Sequence, residues 1–322
     1  MMFYSSTSLS FIEKFAGNEP HFATLVKSWF IVFAAAVILC FLVGEITRNY
    51  SQTDKLWSLM PLIYGWMAIA SNPSSIRLWL MVMLVTLWGL RLSYNFYRKG
   101  GYSLIPWKGE EDYRWKIMRE HPLLNGRLRF GLFNFLFISF YQHLLILLFS
   151  SAFLFAAGGN SGSLSITDFI AACFMLFFII LETVADNQQI RFQKAKRGIA
   201  GEGDAYLTSL KEGFLSEGLW KYIRHPNFMA EQGIWISFYF FGVAATGMWI
   251  NWTLTGPLLL VLLFQGSTKL TESISRTKYK GYERYQKRVP KFLPRLFRTG
   301  EVNDQIGVIN DPDQFFRGYN QQ

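Results

Sequence analysis

Several stretches of the chain run for about twenty residues with hardly a charge, and this limits the possible folds more than any other feature. A hydrocarbon layer ~30 Å thick needs about 20 mostly apolar residues of α-helix to cross it. Within such a layer every backbone N–H and C=O must be paired inside the protein, so open sheets and exposed loops are excluded. The stretches are 28–43, 56–70, 78–96, 130–157, 166–185, 228–246 and 248–265. The expectation is therefore all-α, a polytopic membrane helix bundle with about seven transmembrane helices. The second stretch is the weakest, and the last two are so close that they read as a helical hairpin. Composition agrees, with 51% apolar and only 17% charged residues, against about 25% charged in an ordinary soluble domain. A disordered chain is excluded on the same ground.

Charge placement gives the orientation. The 322 residues carry a net charge of +10, and 28 of the 32 Lys and Arg fall in 45–55, 97–129, 186–226 and 267–322. With seven crossings these segments share one side with the C-terminus. Positive charge collects on the cytosolic side, so the C-terminus should be cytosolic, in a bacterial inner membrane or the endoplasmic reticulum. Topology and anionic headgroups then account for the basic residues. The partners expected are membrane lipids and a lipid-like small molecule, with no nucleic acid. The two cysteines, Cys40 and Cys173, suit neither a disulfide scaffold nor a zinc ribbon, and no metal site is expected. The first apolar stretch lacks a good cleavage site and reads as a retained helix. The chain divides into an N-terminal segment 1–27, one membrane domain 28–298 and a polar tail 299–322.

Polar residues beside apolar helix are costly and tend to face a cavity or a partner. Arg91, Tyr94, Asn95 and Arg98 are spaced to share a helical face. Glu182, Asp186 and Gln189 share another, which ends at Arg191. Asp54 precedes the second stretch, either as a helix cap or as a carboxylate at the mouth of a pocket lined by Trp57, Tyr64 and Trp66. The densest run is 218–232. There Tyr222, Arg224 and His225 precede Pro226, a residue suited to the first turn of a helix. Free N–H groups at such a start, together with a guanidinium, favour an anion. Asn227 and Glu231 follow one turn apart. Beyond the last stretch, Glu272, Tyr279, Tyr282 and Tyr285 lie among Lys and Arg, as in an interfacial segment or a nucleotide clamp.

The run Gly-Leu-Trp-x-Tyr-x-Arg-His-Pro-Asn-Phe-x-x-Glu at 218–231, with the Glu272, Tyr279, Tyr282, Tyr285 and Phe292-Leu293-Pro294 pattern, resembles the C-terminal domain of steroid 5-alpha-reductases. The run Leu-Trp-Gly-Leu-Arg-Leu-Ser-Tyr-Asn-Phe-Tyr-Arg-Lys-Gly-Gly-Tyr at 87–102 is closer to another branch of that superfamily. The resemblance covers roughly 50–298. It implies a seven-helix membrane reductase that uses NADPH, with the cofactor half at 165–298. By position it assigns cofactor binding to Arg98, Asp186, Asn227 and Glu231, with Tyr222, Arg224 and His225 from the same motif, and approximately to Glu272, Tyr279 and Tyr282; Arg191, at the end of the helix face of Asp186, is a further cofactor-binding candidate. Where steroid reductases carry a catalytic tyrosine, this chain carries Asn95 beside Tyr94. Asp54 is the acid nearest to their glutamate. A reduced C=C of a steroid-like enone would need a hydrogen-bond donor on its carbonyl, supplied by Tyr94, Tyr64 or protonated Asp54. Two other readings stand beside this one. Membrane methyltransferases related to isoprenylcysteine carboxyl methyltransferase share an Arg-His-Pro-like motif and bind S-adenosylmethionine, and a catalytically silent lipid-binding protein would keep the bundle without the chemistry.

Overall fold

The computed structural model describes residues 20–294 apart from 104, 106–108, 160–162 and 200–205. Among the described residues all regular structure is helical. In chain order the helices are α1 (Pro20–Thr47), α2 (Gln52–Trp57), α3 (Met60–Ser71), α4 (Ile76–Arg98) and α5 (Tyr113–Glu120). Next, α6 (Arg127–Phe133) runs through a π-helical segment (Asn134–Tyr141) into α7 (Gln142–Ser150), and α8 (Ala152–Gly158) follows. The rest are α9 (Ile166–Lys196), α10 (Leu207–Glu212), α11 (Pro226–Thr246), α12 (Thr255–Lys278) and α13 (Tyr282–Arg288).

Four helices are long and apolar enough to cross a membrane: His21–Thr47, Ile76–Arg98, Arg127–Ser150 and Ile166–Lys196. The other expected spans come out differently. The stretch 56–70 breaks between α2 and α3, leaving α3 with 12 residues, a length of about 18 Å. The sixth, α11, is a full-length helix that carries Asn227, Glu231, Gln232 and Ser237. It is buried over most of its circumference, Ile236 apart, so its polar groups meet neighbouring helices. The seventh begins at Thr255, because Gly247 ends α11 in a left-handed conformation (φ 72°) and the Asn251 side chain caps a short turn at Trp252–Leu254. The division expected at 27/28 falls inside α1, and the tail 299–322 lies outside the described residues.

Contacts sort the helix ends into two sets. At one end Asn72 donates to the Ala157 carbonyl at 3.1 Å, and Arg77 meets Asp168 at 2.7 Å. At the other, Trp115 donates to Asp54 at 2.8 Å, Arg114 to Ser267 at 3.0 Å and Asn95 to Asp186 at 2.7 Å. This second set is the basic end, since the segments rich in Lys and Arg adjoin it. Between the two ends the core is aromatic. Trp235 packs against Phe149 with ring centroids 4.0 Å apart and against Trp88 at 4.9 Å. Small residues bring the helices close, as in membrane bundles generally. A Cβ on Gly256 would lie 2.4 Å from the Phe149 backbone nitrogen, so α12 can touch α7 there only without a side chain.

Candidate functional site

Near the basic end, α4, α9 and α11 join through a buried polar junction. Arg91 and Asn95 come from α4, Glu182, Asp186 and Asn187 from α9, and Asn227 and Glu231 from α11. The i, i+3 and i+4 spacings on α4 and α9 turn these groups toward one another. Arg91 Nη1 donates to Asp186 Oδ2 at 2.8 Å, and Asn95 Nδ2 donates to the same oxygen at 2.7 Å. Asn227 Nδ2 reaches the other Asp186 oxygen at 3.3 Å. Arg98 closes the rim, donating to Asn187 at 2.9 Å and to Asn95 Oδ1 at 3.1 Å. Glu231 accepts from three indoles, Trp88 at 2.8 Å, Trp235 at 3.1 Å and Trp57 at 3.4 Å.

The junction is incompletely satisfied. Arg91 Nη2 lies 2.7 Å from Glu182 Oε2 but off the hydrogen-bonding direction. Glu182 Oε2, Arg91 Nε and Asn227 Oδ1 are buried and have no hydrogen-bond partner. Buried polar atoms are nearly always paired, so an orphan in a native protein asks for an explanation. Tyr64 is a second case. It is 0% exposed, its ring is 4.6 Å from that of Trp29, and its hydroxyl has no partner.

The residues singled out before Pro226 do a different job. Arg224 Nε donates to Glu272 Oε1 at 2.7 Å, and Nη1 donates to the carbonyls of Gln286 and Val289. His225 Nε2 meets Glu272 at 2.9 Å, and Gln286 donates to the same carboxylate at 2.6 Å. The backbone N–H groups of Arg224 and His225 bond the carbonyls of Pro290 and Lys291. Donors expected to face an anion are thus engaged in tying the segment after α13 over the start of α11. Burial would raise the Glu272 carboxyl, but the hydrogen bonds from His225 and Arg224 outweigh it and hold it at about 2. Tyr282 packs on Phe214 with Tyr285, and Tyr279 accepts from Lys196 at 3.0 Å, so these tyrosines build a small aromatic core.

Four further candidates stand apart from the junction. Tyr94 is 59% exposed and lies under the Arg98 guanidinium at 4.8 Å, because one residue along a helix turns the side chain away from the face of Asn95. Tyr222 is exposed, as is Arg191 at the outer surface of α9. Asp54 is the third residue of α2 and not its cap. Its carboxyl is raised by burial and by the neighbouring Asp112 charge, with Arg114 and the Trp115 hydrogen bond opposing. Asp112 itself caps α5 and holds Arg114 through Nε at 2.9 Å and Nη2 at 2.8 Å. The three indoles on Glu231 were missed as donors. A signal for one was present, since Trp235 is one helical turn beyond Glu231.

Among the described residues no three His, Cys, Asp or Glu are grouped to hold a metal ion. No solved structure matches the chain. An uncharacterised protein of Schizosaccharomyces pombe (strain 972) is 39% identical over 285 residues, which cover 82% of this chain and 80% of that protein. A family model described as a protein of unknown function, DUF1295, matches residues 40–289. That range contains the whole junction from Trp57 to Trp235, and the chain belongs to the DUF1295 family.

Proposed function

We propose that the chain is an integral-membrane, NADPH-dependent reductase of a C=C bond in a lipid-like enone, similar in chemistry to the steroid 5-alpha-reductases its motifs resemble. The observation that carries the reading is the junction of α4, α9 and α11, where two buried polar atoms have neither a hydrogen bond nor an ion pair. They are a hydrogen-bond acceptor on Asn227 and a donor, Nε, on Arg91. Such a set suits a polar ligand that both donates and accepts, and its Arg91 and Asn227 come from the motifs at 87–102 and 218–231. The seven helical passages, with the basic end in the cytosol, would open this junction to a water-soluble cofactor on one side. The apolar core would take the lipid-like substrate from the membrane.

Asn227, Asn95, Asp186 and Arg98 would hold the cofactor, which when bound supplies hydride to the electron-poor carbon of the C=C. The π pair then moves onto the carbonyl oxygen, and a proton must reach the neighbouring carbon. Tyr64 is the best-suited donor to that oxygen, because its hydroxyl is buried and unpaired. A preorganised donor stabilises charge as it develops. Tyr94 is turned outward and Asp54 is engaged by Trp115, so neither has the same claim. The dense indole shell around Glu231 would exclude water from the reaction.

The test is a titration of purified protein with NADPH and with S-adenosylmethionine, read as melting temperature. A rise with NADPH alone, lost in Asn227→Ala, is expected. A rise with S-adenosylmethionine alone would replace the reductase by a methyltransferase. No response to either would leave a lipid-binding bundle.

A further inference from the structure

A groove opens on the outside of the basic end, between the last turns of α1 and the stretch that runs from α6 into the π-helical segment. Phe41 and Glu45 line it from α1, and Arg127, Gly131, Leu132 and Phe135 from the other side. It holds about 640 Å³, within the range of small-molecule sites. Its floor is apolar. Phe41 and Phe135 meet edge to face with ring centroids 5.2 Å apart, and Leu132 stands exposed beside them. Its mouth is polar. Glu45 lies in the last turn of α1 and Arg127 opens α6. Both passages are long and apolar enough to cross a membrane, so their ends lie at headgroup depth. Phe135, eight residues beyond Arg127, is about 12 Å deeper. The floor therefore faces hydrocarbon and the mouth faces headgroups.

The charges at the mouth are not equally engaged. Asn134 Nδ2 donates to Glu45 Oε1 at 3.0 Å, and Arg48 pairs with the same carboxylate at 3.7 Å. Arg127 is exposed, and no carboxylate among the described residues pairs with it. One uncommitted guanidinium thus stands above an apolar floor. A guanidinium matches phosphate with two parallel N–H donors. A soluble anion would leave the floor uncovered, and a neutral lipid would leave Arg127 unmatched. Gly131 keeps the groove open, since a Cβ there would point at the Glu45 carboxylate and meet it at 3.7 Å.

We infer that the groove between α1 and α6 seats one anionic glycerophospholipid, with its phosphate on Arg127 and an acyl chain along Phe41, Leu132 and Phe135. The site is separate from the junction of α4, α9 and α11 and does not rest on the proposed chemistry. A lipid held there touches both α1 and the α6 stretch, so its binding stabilises the packing of the first helix on the bundle.

The experiment titrates the full-length protein in neutral detergent with phosphatidylglycerol, phosphatidylcholine and glycerol 3-phosphate. It reads melting temperature, and lipid retention by native mass spectrometry. We expect phosphatidylglycerol to raise the melting temperature at concentrations where the other two do not. Arg127→Gln should weaken phosphatidylglycerol binding about fivefold, the worth of one cation beside an anionic surface. Arg129→Gln removes an exposed charge two residues along, turned away from the groove, and should leave binding unchanged. Gly131→Leu should fill the floor and abolish retention without lowering the melting temperature of the lipid-free protein, since only the Glu45 carboxylate lies near the new Cβ. Equal losses in Arg127→Gln and Arg129→Gln would reduce the effect to diffuse attraction by a basic surface and overturn the site. An equal response to glycerol 3-phosphate or phosphatidylcholine, or unchanged retention in Gly131→Leu, would overturn it as well.

Discussion

The two ends of the bundle each hold a buried guanidinium, and they treat it differently. At the end where α4 and α9 begin, Arg77 grips Asp168 with two parallel bonds, Nε to Oδ1 at 2.7 Å and Nη2 to Oδ2 at 2.9 Å. The Ser165 N–H and hydroxyl complete Asp168 at 2.7 Å and 2.8 Å, within a capping box at the start of α9. One cation meets one anion and the pair is neutral and satisfied. At the basic end the same two helices bring Arg91 to two carboxylates, with a third nearby and Arg91 Nε and Asn227 Oδ1 unpaired. The first arrangement fastens α4 to α9. The second leaves binding capacity unused, as a ligand site does.

That contrast makes Arg77→Ala the most damaging change. It strands Asp168 without its cation, and breaking a buried pair from one side costs about 3–5 kcal/mol. Melting in detergent should show the loss, and a change below about 1 kcal/mol would mean the pair fastens nothing. Next comes Glu231→Gln. The amide keeps the shape but aims N–H groups at indole N–H groups, and an unsatisfied buried donor costs about 1–3 kcal/mol. Indole fluorescence should shift with it, since Trp57, Trp88 and Trp235 all donate there. Glu182→Gln should cost little, under about 1 kcal/mol, because it removes surplus charge and leaves Arg91 paired with Asp186. Equal damage from Glu182→Gln and Arg77→Ala would erase the distinction between the two ends.

The smallest effect is the slope of stability with pH near neutrality, where Glu272 stays ionised. Its folded pKa, at about 2, lies below the ordinary 4.5. The stability it contributes is fully present above the ordinary value and is lost as pH falls through the folded one. Unfolding titrations should be flat near neutrality and steepen below about 4.5 in wild type, and less so in Glu272→Gln.

Much of this was legible in the sequence, for physical reasons. Long apolar runs can only be helices in a membrane, and helical spacing already put Arg91, Asn95 and Arg98 on one face and Glu182 and Asp186 on another. Which faces meet was not legible, because Asp186 joins Asn95 across 91 residues of chain. The partners of the donors before Pro226 were hidden in the same way. Nothing local reveals that Glu272, 48 residues on, holds Arg224. Tyr94 was misplaced by proximity, since adjacent helical residues diverge by about 100°. The weak second stretch foretold its own break into α2 and α3.

The most direct measurement is a structure of the full chain in lipid with saturating NADP+. The account predicts the cofactor at the junction of α4, α9 and α11, in contact with Asn227, Asn95, Asp186 and Arg98. The cofactor bound elsewhere, with the junction closed, would contradict it.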